Sequence, residues 1–244
     1  MQPWRAGALL TLLLALFAGV MALEPIAQSA EYHDFADQRF LLGVPHLFDV
    51  ASSVAFVIVG ALGISLCAGQ RRPPVASWMV LFICTLLAGF GSAYYHWAPN
   101  DATLVWDRLP IALVAMALLV ALVVEHLGET LERLLLAPSL AIGVMSVLWW
   151  QWSGDLRPYL WVQFAPVLCI PFVLAIFPAR YTYRRFMLYA IGLYSLAKAA
   201  EMNDIEIFTL TAHVVSGHTL KHLLAAGAIL ALLVMLRRRE AIDA

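Results

Sequence analysis

Of the protein's 244 residues, 63% are hydrophobic and 13% are charged, against roughly 45–50% and about 25% in an ordinary soluble domain. That excludes a water-soluble fold, and a formal net charge of −1 from 15 basic and 16 acidic residues leaves no basic field for nucleic acid. With roughly 20 apolar residues needed per span, the chain has room for about seven or eight membrane helices and no separate soluble catalytic domain. Any chemistry lies within the bundle or at its rim.

Apolar runs bounded by charge or proline predict spans at 6–23, 46–68, 76–97, 105–125, 134–152, 158–178, 185–200 and 212–236. The expected fold is all-α: a polytopic membrane helix bundle with a seven-helix core at 46–236 and one extra N-terminal helix within 1–23. The first run also reads as a signal peptide, with Arg5 ahead of it and Ala27-Gln28-Ser29 behind. Its apolar stretch is long for a signal core, which favours a retained helix. Next comes an acidic outer segment, 24–45, where Glu24, Glu31, Asp34 and Asp37 face only Arg39; it reads as a solvated loop. Cys67, Cys84 and Cys169 lie in separate apolar runs without a CxxC pair, so they are core residues rather than a disulfide framework. Residues 237–244 form a short tail.

Orientation follows from the arginines, because short cytoplasmic loops carry the basic excess. If the spans alternate, Arg5, Arg71, Arg72, Arg133, Arg180, Arg184, Arg185 and Arg237 to Arg239 share one side, against Arg39, Arg108 and Arg157 on the other. Both termini and the tail are therefore expected in the cytoplasm.

Ionisable groups inside spans are costly and mark function or a hydrated cavity. Here Ser92 and His96 close the third span, Asp107 opens the fourth, and His218 and His222 open the eighth. All three helix ends fall on the outer side. Residues four apart share a helix face, so three imidazoles, a carboxylate and a hydroxyl can meet in one cavity. Three neutral imidazoles with an open fourth position suit catalytic Zn(2+), although two histidines four apart also suit a haem-bearing helix.

GFGSAYYH, the Asp of WDRLP eleven residues after that His, and HTLKH on the last helix together resemble the alkaline ceramidases, over about residues 32 to 236. They also resemble the wider group of seven-helix zinc membrane hydrolases and adiponectin-type receptors. YHDFADQRF and SGHTLKHL are most similar to the bacterial ceramidase or phytoceramidase branch. The resemblance implies zinc ligands at His96, His218 and His222, a supporting serine at Ser92 and an acid/base at Asp107. It implies hydrolysis of the amide of a ceramide or other N-acyl lipid; in a bacterial inner membrane the arginine count puts the zinc site on the periplasmic side. Animal members bind calcium through an acidic N-terminal segment. The matching stretch here offers Asp37 but His46 where a glutamate is expected, which argues against calcium.

Asp107 has a simpler alternative role as a helix cap, and Ser92 as a donor within its helix. Lys198 and Glu201 are expected to neutralise each other, with Glu201 alternatively reaching the substrate or supporting a ligand histidine. Asp49 is a local cap or a partner of the site. Lys221, on another face from the two histidines around it, is expected to snorkel. Two other classes stay open: a zinc-containing receptor without hydrolysis, and a haem-binding electron carrier.

Overall fold

A computed structural model describes residues 3–69 and 75–242. Arg71 and Arg72, which enter the orientation argument, and the last two residues of the tail lie outside the described residues. The helices are α1 (Pro3–Met21), α2 (Leu47–Ser52), α3 (Val54–Ala68), α4 (Val75–Trp97), α5 (Asp101–Leu127), α6 (Leu131–Ser153), α7 (Arg157–Ile176), α8 (Phe186–Met202), α9 (Asp204–Leu210) and α10 (Gly217–Arg238). Sheet is limited to a two-residue hairpin, β1 (Phe40–Leu41) and β2 (Val44–Pro45). Seven segments among the described residues are long and apolar enough to cross a membrane, with α2 and α3 counted together. The chain is a multi-pass membrane protein.

The seven-helix core consists of α2–α3, α4, α5, α6, α7, α8 and α10, with α1 laid against α7 from outside. Helix α8, at 17 residues, covers about 25 Å and, unlike α1, is not among the seven segments long and apolar enough to span, so the span expected at 185–200 is not matched by length. Helix α5 is the centre of the bundle, packed against α4, α6 and α7. Its most apolar window is 78% buried against 6% for α1, which leaves most of α1 facing outward. Trp161 of α7 holds α1 by donating to the Leu13 carbonyl at 3.2 Å and packing edge-on against Phe17.

Packing in lipid relies on close van der Waals contact and small residues rather than on hydrophobic exclusion. One apolar cluster runs along α1, α5, α6 and α7, from Tyr95, Leu104 and Trp150 near the histidines to Val173 and Phe177 at the opposite end. A second, around Trp78, Leu81, Phe82 and Leu232, joins α3, α4, α5, α8 and α10 at the end away from the histidines. At that far end Glu125 accepts from Trp78 Nε1 at 2.9 Å and pairs with Arg239, and Glu132 accepts from both the amide and the hydroxyl of Ser77 at 2.7 Å. These buried carboxylates tie α4, α5, α6 and α10 together.

Three boundaries differ from expectation. Helix α5 starts at Asp101, not near 105, because Asn100 and Thr103 form a reciprocal capping box there. Helix α10 starts at Gly217, not 212, because Ser216 caps it by accepting from the Thr219 amide at 2.9 Å; Ala212 and His213 ahead of it sit at positive φ. The expected second span breaks at Ser53. There Ser52 and Ser53 both donate to the Asp49 carbonyl, at 3.0 and 3.1 Å, which draws that carbonyl out of the helical ladder.

The segment 24–45 is not a solvated loop. Phe35 is 4% exposed and Asp37 fully buried. Arg157 donates to the Met21 and Leu23 carbonyls, and Asp155 accepts from the Ile26 amide. The Arg157 guanidinium holds the Asp155 carboxyl down at about 2, against the opposing effect of burial. Burial opposes ionisation of Asp37 too, yet Arg39, bonded to both its oxygens at 2.6 and 2.7 Å, keeps that carboxyl below the usual range. Arg39 reaches on to the His213 carbonyl at 2.7 Å. The segment is thereby folded down over the histidine end of the bundle.

Candidate metal centre

His96 is the penultimate residue of α4, and His218 and His222 occupy the first two turns of α10. Each offers a ring nitrogen, and the three nitrogens lie within 4.8 Å of one another. All three side chains are buried, His96 completely. Ring centroids are 4.6 to 5.0 Å apart and the ring planes are steeply tilted. Neither nitrogen of His96 has a hydrogen-bond partner. Two orphaned nitrogens on a fully buried imidazole are costly unless something takes a lone pair, and a metal ion does so. The donor set fits one.

The broken second span supplies the support. Ser52 Oγ lies 2.8 Å from His222 Nδ1. Its own proton goes to the Asp49 carbonyl, so it accepts from Nδ1–H, and Nε2 is left with its lone pair free for a metal. Ser53 Oγ donates to Ser92 Oγ at 3.1 Å, and Ser92 Oγ lies 3.3 Å from His222 Nε2. The Asp49 carboxylate accepts from Ser216 Oγ and Thr219 Oγ1 at 2.9 and 2.6 Å. It does not cap its own helix; it anchors the start of the helix that carries two of the imidazoles, and the Asp49 carbonyl is itself hydrogen-bonded to His222, so Asp49 is a partner of the site.

Asp204 of α9 accepts from the His218 amide at 2.7 Å and from the Ala36 amide at 2.8 Å, joining the outer segment to α10. Phe35, from that segment, packs at 4.5 and 4.7 Å against the rings of His96 and His218 and shuts water out from above. Two glycines allow the close approach. A Cβ on Gly91 would sit 2.0 Å from the Trp106 carbonyl oxygen, and one on Gly217 would sit 2.2 Å from that of Ala200.

Asp107 is the seventh residue of α5 and is buried. The capping alternative is thereby overturned, since Asn100 performs that role two turns earlier. Asp107, Ser92 and His222 share the wall of a cavity of about 390 Å³. Lys198, Glu201 and Lys221 line the same wall. Glu201 pairs with Lys198 as expected, but also with Lys221 at 2.6 Å, and it accepts from the Tyr32 hydroxyl at 3.3 Å. Lys221 therefore does not snorkel. It points inward, with its ammonium 3.3 Å from His218 Nε2, and connects Glu201 to the histidine cluster.

Away from these groups the cavity becomes apolar at Ile111, Val114, Ala228 and Ile229. The same four residues border a second pocket of about 90 Å³ that runs on toward Leu118 and Leu232. The site is thus a chamber whose polar wall meets the histidine cluster at His222, with an apolar slot leading into the bundle.

Sequence reasoning missed Ser53, Phe35, Asp204 and the inward turn of Lys221. It also treated Arg108 only as a loop charge, whereas Arg108 is 4% exposed and part of the cavity wall. No family model matches the chain, and no curated protein matches it either.

Proposed function

We propose that the protein is a zinc-dependent integral-membrane hydrolase that cleaves the amide of a ceramide-like N-acyl lipid. The observation that carries this reading is the convergence of three buried imidazoles, two nitrogens of which are orphaned on His96, with Asp107 and Ser92 at the head of an apolar slot.

His96, His218 and His222 would hold the metal, and three imidazoles with an open position suit zinc over hard cations. A zinc ion supplies the Lewis acidity that makes water a competent nucleophile near neutral pH. Asp107 takes the attacking water's proton and returns it to the departing amine, the work of a general acid/base. Ser92 accepts from Ser53 and hydrogen-bonds to the Asp107 carboxylate, so its hydroxyl would turn from that carboxylate to the carbonyl oxygen as charge develops there. Phe35 excludes bulk water, and the apolar slot takes the acyl chain.

The arrangement counts against haem. Two axial histidines must stand on opposite faces of a flat macrocycle, whereas these rings crowd edge to face within 5.0 Å. A lipid screen against the purified, zinc-loaded protein tests the proposal. Release of fatty acid from ceramides or other N-acyl lipids is expected; cleavage of no lipid amide or ester under any metal or pH condition transfers the lead to the receptor reading.

A further inference from the structure

Three cations line the cavity wall, and two of them, Lys198 and Lys221, pair with Glu201. Arg108 has no ion pair among the described residues. Its guanidinium sits among three aromatic rings, 4.0 Å from Trp150, 5.1 Å from Tyr159 and 5.3 Å from Tyr32. Gln28 accepts from Nη2, the Tyr32 hydroxyl accepts a further hydrogen bond from the guanidinium, and Nη1 is buried without any acceptor.

Rings that face a guanidinium hold its plane and favour its charge, but they do not accept the in-plane N–H bonds of the fork. A buried cation with an idle donor is costly unless a partner arrives. The residue stands in the wall of the chamber, directly after the acid/base Asp107, with the two Cα atoms about 3.8 Å apart. With Asp107 and Glu201 ionised, the wall keeps one uncompensated positive charge.

We propose that Arg108 receives an oxyanion on the substrate's head group, so that the natural substrate is an N-acyl lipid with a carboxylate or phosphate a few bonds beyond its amide. The proposal rests on the amidohydrolase reading and adds the substrate class to it. With the acyl chain in the slot past Ile111 and Val114, and the amide beside Asp107 and Ser92, the head group falls at the Arg108 end of the chamber. The planar fork matches a carboxylate or phosphate through paired N–H bonds. A neutral head leaves Nη1 unsatisfied, so binding discriminates by charge.

The test uses the full-length, zinc-loaded protein in detergent and two matched pairs. N-palmitoylglycine and N-palmitoylethanolamine share chain and amide but differ in carboxylate against hydroxymethyl; ceramide phosphate and ceramide differ in the phosphate. Binding is read by displacement of a fluorescent acyl probe, and cleavage by fatty acid release. At least one anionic member is expected to bind about tenfold or more tightly than its neutral counterpart. Arg108→Gln is expected to bring that ratio close to one, and Arg108→Lys to retain part of it.

Ratios within about twofold for both pairs in the wild type overturn the proposal, and if those lipids are nonetheless cleaved the hydrolase reading stands. A clear binding preference without cleavage of any of the four supports the anion site and counts against the hydrolase reading. Displacement of the probe by free glycine or inorganic phosphate at the lipid's own concentration overturns the head-group assignment in favour of a soluble anion. If Arg108→Gln fails to fold, the wild-type ratios and Arg108→Lys still decide.

Discussion

Ser52 Oγ lies 2.8 Å from Nδ1 of His222 and donates a hydrogen bond to the Asp49 carbonyl. One hydroxyl thus breaks the second span and fixes the tautomer of an imidazole on the last helix. The kink and the site are the same feature, because the carbonyl freed from the α2–α3 ladder is what orients the serine.

Ser52→Ala is therefore expected to weaken metal binding by about 10- to 100-fold, the usual effect of losing a ligand's outer partner, with little change in helix content. Chelator competition measures it. Unchanged affinity would show that His222 is oriented by packing alone.

Asp107 lies two turns inside α5, beyond the reach of a capping role. Asp107→Asn keeps the shape of the side chain and removes its basicity. Turnover on an amide lipid should fall by about 10²- to 10⁴-fold, with metal content and thermal stability near wild type. Full turnover in this variant would move the proton transfer elsewhere, and Glu201, already held by two lysines, would be the next residue to replace.

The proposed orientation places the histidine end of the bundle outside. Ala98, exposed between α4 and α5, and Glu129, exposed between α5 and α6, lie at opposite ends of the central helix. In a background lacking the native cysteines, Ala98→Cys should react with an impermeant thiol reagent in cells whose outer barrier has been opened. Glu129→Cys should not. The reverse pattern would put the chemistry on the cytoplasmic face.

The bundle was legible because long apolar runs have few alternatives, and the histidine cluster because four-residue spacing and matched depth are visible along a chain. What stayed hidden depends on partners distant in sequence. Arg108 counts as an outer loop charge until Tyr32, Trp150 and Tyr159, from three separate segments, are seen around it. Lys221 stands three residues after His218 and is its neighbour on the helix, so the contact with that ring follows from spacing, whereas Glu201 of α8, which turns the lysine inward, does not. The acidic segment looks solvated because its charges are counted one by one, while in the fold Arg39 and Asp37 neutralise each other and Phe35 turns inward. The helix starts at Asp101 and Gly217 are set by caps, which hydropathy does not register.

The central claim is that three histidines hold one catalytic metal, and elemental analysis of the purified protein and its His96→Ala variant tests it most directly. The wild type should carry about one zinc per chain, and the variant should lose most of it while keeping its helix content, because the orphaned nitrogens of His96 have no structural partner to forfeit. A wild type that binds no transition metal even after zinc loading, or a folded His96→Ala protein with full occupancy, would contradict the account.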